Sequence, residues 1–403
     1  MTLAKSFRIQ WLASAYGAIV SILLTFLLAR LLGPIIFGKY SYVLTLASLF
    51  AILQDGGFRT LIYRELTSPT FHKIKNYLVS LSLGHNILAT TSSLLILVAL
   101  PLEDRFLLVL AIISFGLATI NKFFSSQLKG QGQFSKEAQW HVTTRTLSAL
   151  GILFFVFIFN PAAIELIFCG AIAGYSIALM LRPRTCKLKL FFKKLDPTIY
   201  KSLASLLIID IATLIYFKID IVMLRHLGAG LEEVGYYSAG SRLIEGLIFM
   251  HLPFATVLFR EMRLRASDPK KLTPYILKLF FLIFGSPIII VPISWFFSTE
   301  ILLICYGADF IASSPLLDIL LISFFFMVPN LVLTQATLAI DQEYFYAKIT
   351  CVAALINIGL NLYLIPTMGA KGAAIGTVAT ELFLMVLIGG GMISWHRKVT
   401  LEQ

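Results

Sequence analysis

Lys218, Asp220, Arg242 and Glu245 carry the chemistry hardest to reconcile with its surroundings, because each interrupts a long apolar run. An ionised side chain in mid-bilayer costs about 2.5–3.5 kcal/mol, so such groups face one another or water rather than lipid. Arg242 and Glu245 are three residues apart and share a helical face. Lys218 stands about as far from the outer end of its run as Arg242 does from the end of the next, which puts all four at similar depth. Two chemistries are open to such a set: a salt-bridge cluster that pins two helices together, or the wall of a wet cavity where the charges meet a substrate. Asp210, in the same run as Lys218, and Glu381, well inside the last apolar block, add two more carboxylates.

A second set marks the end of the second apolar block, in Gln54-Asp55-Gly56-Gly57-Phe58-Arg59 and then Tyr63-Arg64-Glu65. Paired glycines are a helix stop, which puts Asp55, Arg59 and Arg64 at a cytoplasmic mouth. Asp55 needs a partner so close to an apolar helix, and Arg59 four residues on is available. For Arg59 and Arg64 the alternative is snorkelling to lipid headgroups. His85, Asn86 and Asn121 read as interhelical hydrogen bonders, and Asn357 and Asn361 share one face. Gln10, Ser14, Tyr16, Gly17, Ser21 and Thr25 draw a stripe that either lines a cavity or packs on a neighbour. The four cysteines and six histidines lack metal or redox spacing, so no metal or cofactor is expected.

The elements that must hold these residues are read from the apolar blocks. The chain is 58% hydrophobic and 13% charged, against about half and about a quarter in soluble globules. A bilayer core of about 30 Å takes about 20 apolar residues per helix. That predicts twelve spans, near 9–32, 40–59, 76–100, 106–128, 140–159, 163–182, 199–224, 236–258, 275–297, 314–338, 347–365 and 372–395. The predicted class is an all-α polytopic membrane protein of about 12 transmembrane helices, with Pro287, Pro292 and Pro329 as hinge candidates. The first block shows no cleavage site and reads as a span.

A net charge of +12 invites a nucleic-acid reading, and its distribution argues against one. With the N-terminus in the cytoplasm, 26 of the 33 Lys and Arg fall on the cytoplasmic side, five on the far side, and Lys218 and Arg242 inside helices. That is the positive-inside bias. It predicts both termini in the cytoplasm, with attraction to anionic headgroups secondary and no nucleic-acid partner.

The chain also echoes itself. Arg225-His226-Leu227-Gly228 and then Gly235-Tyr236-Tyr237-Ser238 resemble Arg30-Leu31-Leu32-Gly33 and then Gly38-Lys39-Tyr40-Ser41. A half-chain repeat is how many transporters are built. The cationic stretch 182–201 reads as a linker on the inner membrane surface. It divides the chain into six-helix lobes at 1–187 and 188–403, and because six is even the two repeats run parallel. Leu31 to Lys39, broken by Gly33-Pro34, is the expected first outer turn.

Several motifs together carry a resemblance. They are Leu28-Ala29-Arg30-Leu31-Leu32-Gly33-Pro34 with Phe37-Gly38-Lys39-Tyr40, the Asp55-Gly56-Gly57 helix end, Asp220 through Tyr237, and Asn357 with Leu364-Ile365-Pro366 and the Gly-Ala-Ala run. Over almost the whole chain, in order, they resemble the Wzx-type polysaccharide (O-antigen repeat-unit) flippases of the multidrug/oligosaccharidyl-lipid/polysaccharide exporter (MOP) superfamily. The resemblance implies a MATE-like pair of lobes around a cavity lined mainly by helices 1, 2, 7 and 8, alternating access, and no enzymatic activity. It implies an oligosaccharide on a polyprenyl diphosphate as substrate, turned from the inner to the outer leaflet of the cytoplasmic membrane. Arg30, Lys218 and Arg242 are then cavity cations suited to a diphosphate. Asp210, Asp220, Glu245 and Glu381 serve H+ or Na+ coupling or charge balance. A polysaccharide polymerase is an implied partner. Lipid II flippases typically carry two further helices, for which this chain has no room.

Two other readings remain. One is a cation-coupled multidrug antiporter on the same fold. The other is a membrane glycosyltransferase or polysaccharide polymerase, which needs sizeable outer loops with clustered carboxylates. Here the outer segments near 101–105, 160–162 and 225–235 are short, and Glu103-Asp104 and Glu232-Glu233 read as caps in turns.

Overall fold

The computed structural model describes residues 3–67, 77–99, 104–160, 163–186, 197–228, 230–266 and 269–401. They form helices α1 (Leu3–Asp55), α2 (Phe58–Thr67), α3 (Leu78–Ala99), α4 (Arg105–Gly130), α5 (Phe134–Ile158), α6 (Ile164–Met180), α7 (Pro197–His226), α8 (Leu231–Arg263), α9 (Pro269–Phe296), α10 (Ser298–Tyr306), α11 (Ser314–Ala339), α12 (Glu343–Met368) and α13 (Ala370–Leu401). A 3-10 turn, Ala308–Ser313, joins α10 to α11. Eight of the described helical stretches are long and apolar enough to cross a membrane. Large apolar side chains such as Leu23, Phe281 and Leu355 are at least 60% exposed, as lipid-facing groups are.

The first outer turn departs from expectation. Residues 31–39 do not form a loop: helix continues through α1, and only Gly33 is non-helical, at φ 68° and ψ 171°. That backbone region is open almost solely to glycine. Pro34 then opens the next helical stretch, where its missing N–H costs nothing. Gly33→Ala is expected to destabilise by about 1–3 kcal/mol and to lower the thermal midpoint in detergent; an unchanged midpoint contradicts this account of the kink.

The chain forms two compact units, residues 1–32 with 42–211 and residues 33–41 with 212–403, so that α1 and α7 each contribute to both. Residues 187–196, the centre of the expected cationic linker, lie outside the described residues, as does Glu103.

In the first unit α5 and α6 cross at backbone contact. A Cβ on Gly151 would stand 2.3 Å from the Gly170 carbonyl oxygen, and one on Gly174 2.3 Å from that of Leu147. Close approach through small residues is how helices pack in lipid. Phe58, Phe123, Phe124 and Trp140 fill the core nearby, and the Trp140 indole N–H donates to the Asn121 carbonyl at 3.0 Å. The stripe on α1 packs against α5: Gln10 donates to Glu137 at 2.5 Å, Tyr16 bonds Thr146 at 2.7 Å, and Gly17 abuts His141. Glu137, 1% exposed, also accepts from Ser125 and pairs with Lys129 at 3.3 Å. Ser21 and Thr25 return to carbonyls of their own helix. His85 bonds the Leu53 carbonyl at 2.8 Å and Asn86 that of Gln54 at 3.4 Å, both between helices. Asn121 differs from its reading, since its amide goes to Leu117 in its own helix.

In the second unit α11 packs against α8, α9 and α13, and α13 against α12. Residues 33–41 dock here: Phe37 is fully buried, with Tyr306 and Phe310 ring centroids 6.3 and 5.7 Å away. The two glycines of the internal repeat meet at this point. A Cβ on Gly38 would lie 1.9 Å from the Leu231 carbonyl oxygen, and one on Gly235 2.0 Å from that of Pro34. Glu232 accepts from the Tyr236 hydroxyl at 2.8 Å. Glu233 caps α13 by accepting the Ala370 N–H at 2.8 Å.

Candidate functional site

Successive residues on a helix turn about 100°, so side chains two apart point to nearly opposite faces. Lys218 and Asp220 accordingly part company on α7. The Lys218 ammonium meets Glu245 of α8, and Glu245 also accepts from Arg242 Nη1 at 3.2 Å. The triad is partly open, with side-chain exposures of 18% for Lys218, 40% for Glu245 and 24% for Arg242. Two cations share one carboxylate, which leaves a net positive charge within reach of water.

Asp220 is 3% exposed and is held by neutral donors. Tyr237 and Thr377 hydroxyls donate to Oδ2 at 2.6 and 3.0 Å, and the Asn361 amide to Oδ1 at 2.7 Å. Asn361 spends its second N–H on Asn357 Oδ1 at 3.0 Å. One turn along α7 and α13 comes a second carboxylate, Glu381, which accepts from the Tyr216 hydroxyl and from the Asn330 amide. Asp220, Glu381, Tyr216, Tyr237, Thr377 and the triad's Glu245 line a cavity of about 260 Å³ inside the second unit, with Phe217, Ile244, Phe249 and Met327 on its apolar side.

The structure thus brings Lys218, Arg242 and Glu245 together and puts Asp220 and Glu381 on one cavity wall. Arg30 is exposed and belongs to the first unit. The sequence did not single out Tyr216, Asn330 or Thr377. The available signal was spacing: Tyr216 with Asp220, and Thr377 with Glu381, are each four residues apart and so share a face.

The first unit gathers its own charges. Asp55 is 8% exposed and neither carboxylate oxygen has a hydrogen-bond partner. The ion pair expected from its spacing to Arg59 is not made. Gly56 and Gly57 take φ values of 55° and 78°, which ends α1 before α2 begins and breaks the helical relation. Asp55 instead lies in the field of Arg59, Lys122 and Asp210, and Lys122 in that of Arg59 and Arg145. Lys122 and Arg145 are among the 26 cations that the positive-inside bias assigns to the cytoplasmic side, and Lys122 lies well inside α4. Arg64 stands apart, exposed and beside Glu65 at 3.3 Å.

Comparison with known proteins fits this architecture. The lipid II flippase MurJ, in an inward closed conformation, superposes with a TM-score of 0.68 at 15% identity, covering 97% of this chain and 90% of that one. An inward-facing multidrug resistance MATE family transporter of the MOP superfamily gives 0.68 at 14% identity, with 95% and 94% covered. An outward-facing one gives 0.61 at 14% identity, with 98% and 95% covered. The fold is therefore the all-α, multi-span membrane fold that these transporters share. The model of the polysaccharide biosynthesis protein family matches residues 3–259, and the chain belongs to that family. An uncharacterized membrane protein of Methanocaldococcus jannaschii is 27% identical over 295 residues, 69% of this chain. The match spans 57% of that relative's own length.

Proposed function

We propose that this chain is a Wzx-type flippase. It carries polyprenyl-diphosphate-linked oligosaccharide repeat units from the inner to the outer leaflet of the cytoplasmic membrane, by alternating access, for surface polysaccharide synthesis. The observation that supports this most is the Lys218–Glu245–Arg242 triad, a net cation at membrane depth, open to solvent beside a cavity. A diphosphate cannot enter hydrocarbon, and charge-assisted hydrogen bonds from Lys and Arg suit its oxygens. Arg30, which the internal repeat aligns with Arg225, is the third cation. The 182–201 linker divides the chain into its two six-helix lobes, and the polyprenyl tail stays in lipid.

On this reading Asp55, Arg59 and Arg64, now with Lys122, serve the inner mouth, where the substrate enters. Asp210, Asp220, Glu245 and Glu381 balance the cations or link the cycle to an H+ or Na+ gradient, and a polymerase takes the product on the outer face. Membership of the polysaccharide biosynthesis family favours a sugar-lipid over a drug. Deleting the gene tests the choice. Loss of surface polysaccharide with lipid-linked oligosaccharide accumulating inside is the expected result; drug hypersensitivity with intact polysaccharide overturns it.

A further inference from the structure

The cavity of the second unit holds two carboxylates whose surroundings differ in kind. Asp220 has three donors and lies in the field of Lys218. Glu381, also 3% exposed, has two side-chain donors, the Tyr216 hydroxyl on Oε1 and the Asn330 amide on Oε2 at 2.8 Å. Among the described residues no Lys, Arg or His forms an ion pair with Glu381. Asn330 also donates to the Glu381 main-chain carbonyl at 2.9 Å, and its own Oδ1 is buried without a partner. An anion held at membrane depth by two neutral donors is costly, and an unused acceptor stands beside it.

The groups around Glu381 do not supply the missing cation. From α7 it faces Tyr216 and Asp220, and across the cavity Tyr237 and Glu245 of α8. From α12, Tyr346 stands beside Tyr216. α11 presents the neutral Asn330, and α9 bonds α13 through Thr273 and His396, 15 residues further on.

We propose that Glu381 is the proton-binding position of this cavity, taking up and releasing one proton with water admitted to it. Uptake transfers a proton from a hydronium ion of the admitted water to Oε2, breaking one O–H bond there and forming one on the carboxylate. That hydroxyl needs an acceptor, and the unpartnered Asn330 Oδ1 supplies one as the amide turns, giving up the Nδ2 bonds to Oε2 and to the Glu381 main-chain carbonyl. Tyr216 keeps its bond to Oε1 in both forms. Three carboxylates (Asp220, Glu245, Glu381) line the cavity, and the cations Lys218 and Arg242 both pair with Glu245; protonating Glu381 removes one negative charge from the wall. Proton uptake therefore favours an anionic headgroup at the triad. That consequence rests on the transport reading, whereas the proton site does not.

The test is infrared difference spectroscopy on the purified full chain in lipid nanodiscs, stepped through pH without substrate. The expected result is a carboxylic-acid carbonyl band that disappears as pH rises. It is lost in Glu381→Gln, kept in Asp220→Asn, and kept with a moved midpoint in Tyr216→Phe and in Glu381→Asp. A band untouched by Glu381→Gln, or removed by Asp220→Asn instead, overturns the assignment. If Glu381→Gln does not fold, Glu381→Asp and Tyr216→Phe decide, since an unmoved midpoint in both overturns it equally. A titrating Glu381 in a chain that flips no lipid keeps this site and removes the transport reading; flipping without the band does the reverse.

Discussion

A chain carrying both Lys218→Gln and Arg242→Gln is expected to lose export of lipid-linked oligosaccharide by more than about 100-fold while still inserting into the membrane. Hydrogen bonds to charged groups contribute about 1.5–3 kcal/mol each, and two of them exceed the roughly 2.8 kcal/mol that corresponds to 100-fold. Glu245 bonds both cations in the structure, so the double change also strands its charge. Adding Glu245→Gln separates the two effects, because the triple variant no longer strands the Glu245 charge. Export still absent from the triple variant assigns the loss to the missing cations. Export regained there assigns it to charge balance and removes the headgroup role. Lys218→Arg keeps the charge and is expected to retain most activity. Quantifying polyprenyl-linked sugar on each face of membrane vesicles reads all four proteins.

Gly170→Val is the structural counterpart. A Cβ at this position would lie 2.4 Å from the Gly151 carbonyl oxygen and 2.6 Å from the Ile152 Cα, both backbone atoms that cannot step aside. The α5–α6 crossing must open, at a cost of about 3 kcal/mol or more. The expected outcome is loss of the monodisperse peak on size exclusion in detergent. Gly389→Ala is the control, since nothing stands within 4 Å of its added methyl, and it is expected to leave the peak unchanged. An intact peak from Gly170→Val means the helices do not touch as described.

Much of this is legible in the sequence, for a physical reason. Lipid demands apolar residues over a fixed length, so hydropathy alone gives helix class and approximate limits, and charged residues inside such runs stand out. Lys218, Arg242 and Glu245 were visible on that ground. Other features lie below the resolution of composition. A single glycine at φ 68° suffices where a nine-residue turn was expected, because one permissive backbone can redirect a helix. The Asp55–Arg59 pair followed from helical spacing, and it failed because Gly56 and Gly57 remove the helix between them. Asp220 looked like a partner for cations, yet hydroxyls and amides from three other helices hold it, and neutral partners give no hydropathy signal. Lys122 is one of many cations on the cytoplasmic side of the charge bias, and only its place inside α4 sets it apart.

The most direct measurement uses the purified chain in liposomes loaded with a polyprenyl-diphosphate oligosaccharide on one leaflet, scored by glycosidase access from the other side. The account predicts that the wild-type chain exposes the sugar and that the Lys218→Gln, Arg242→Gln chain does not. Equal exposure by both chains, or none by either while a cationic dye is transported, contradicts it.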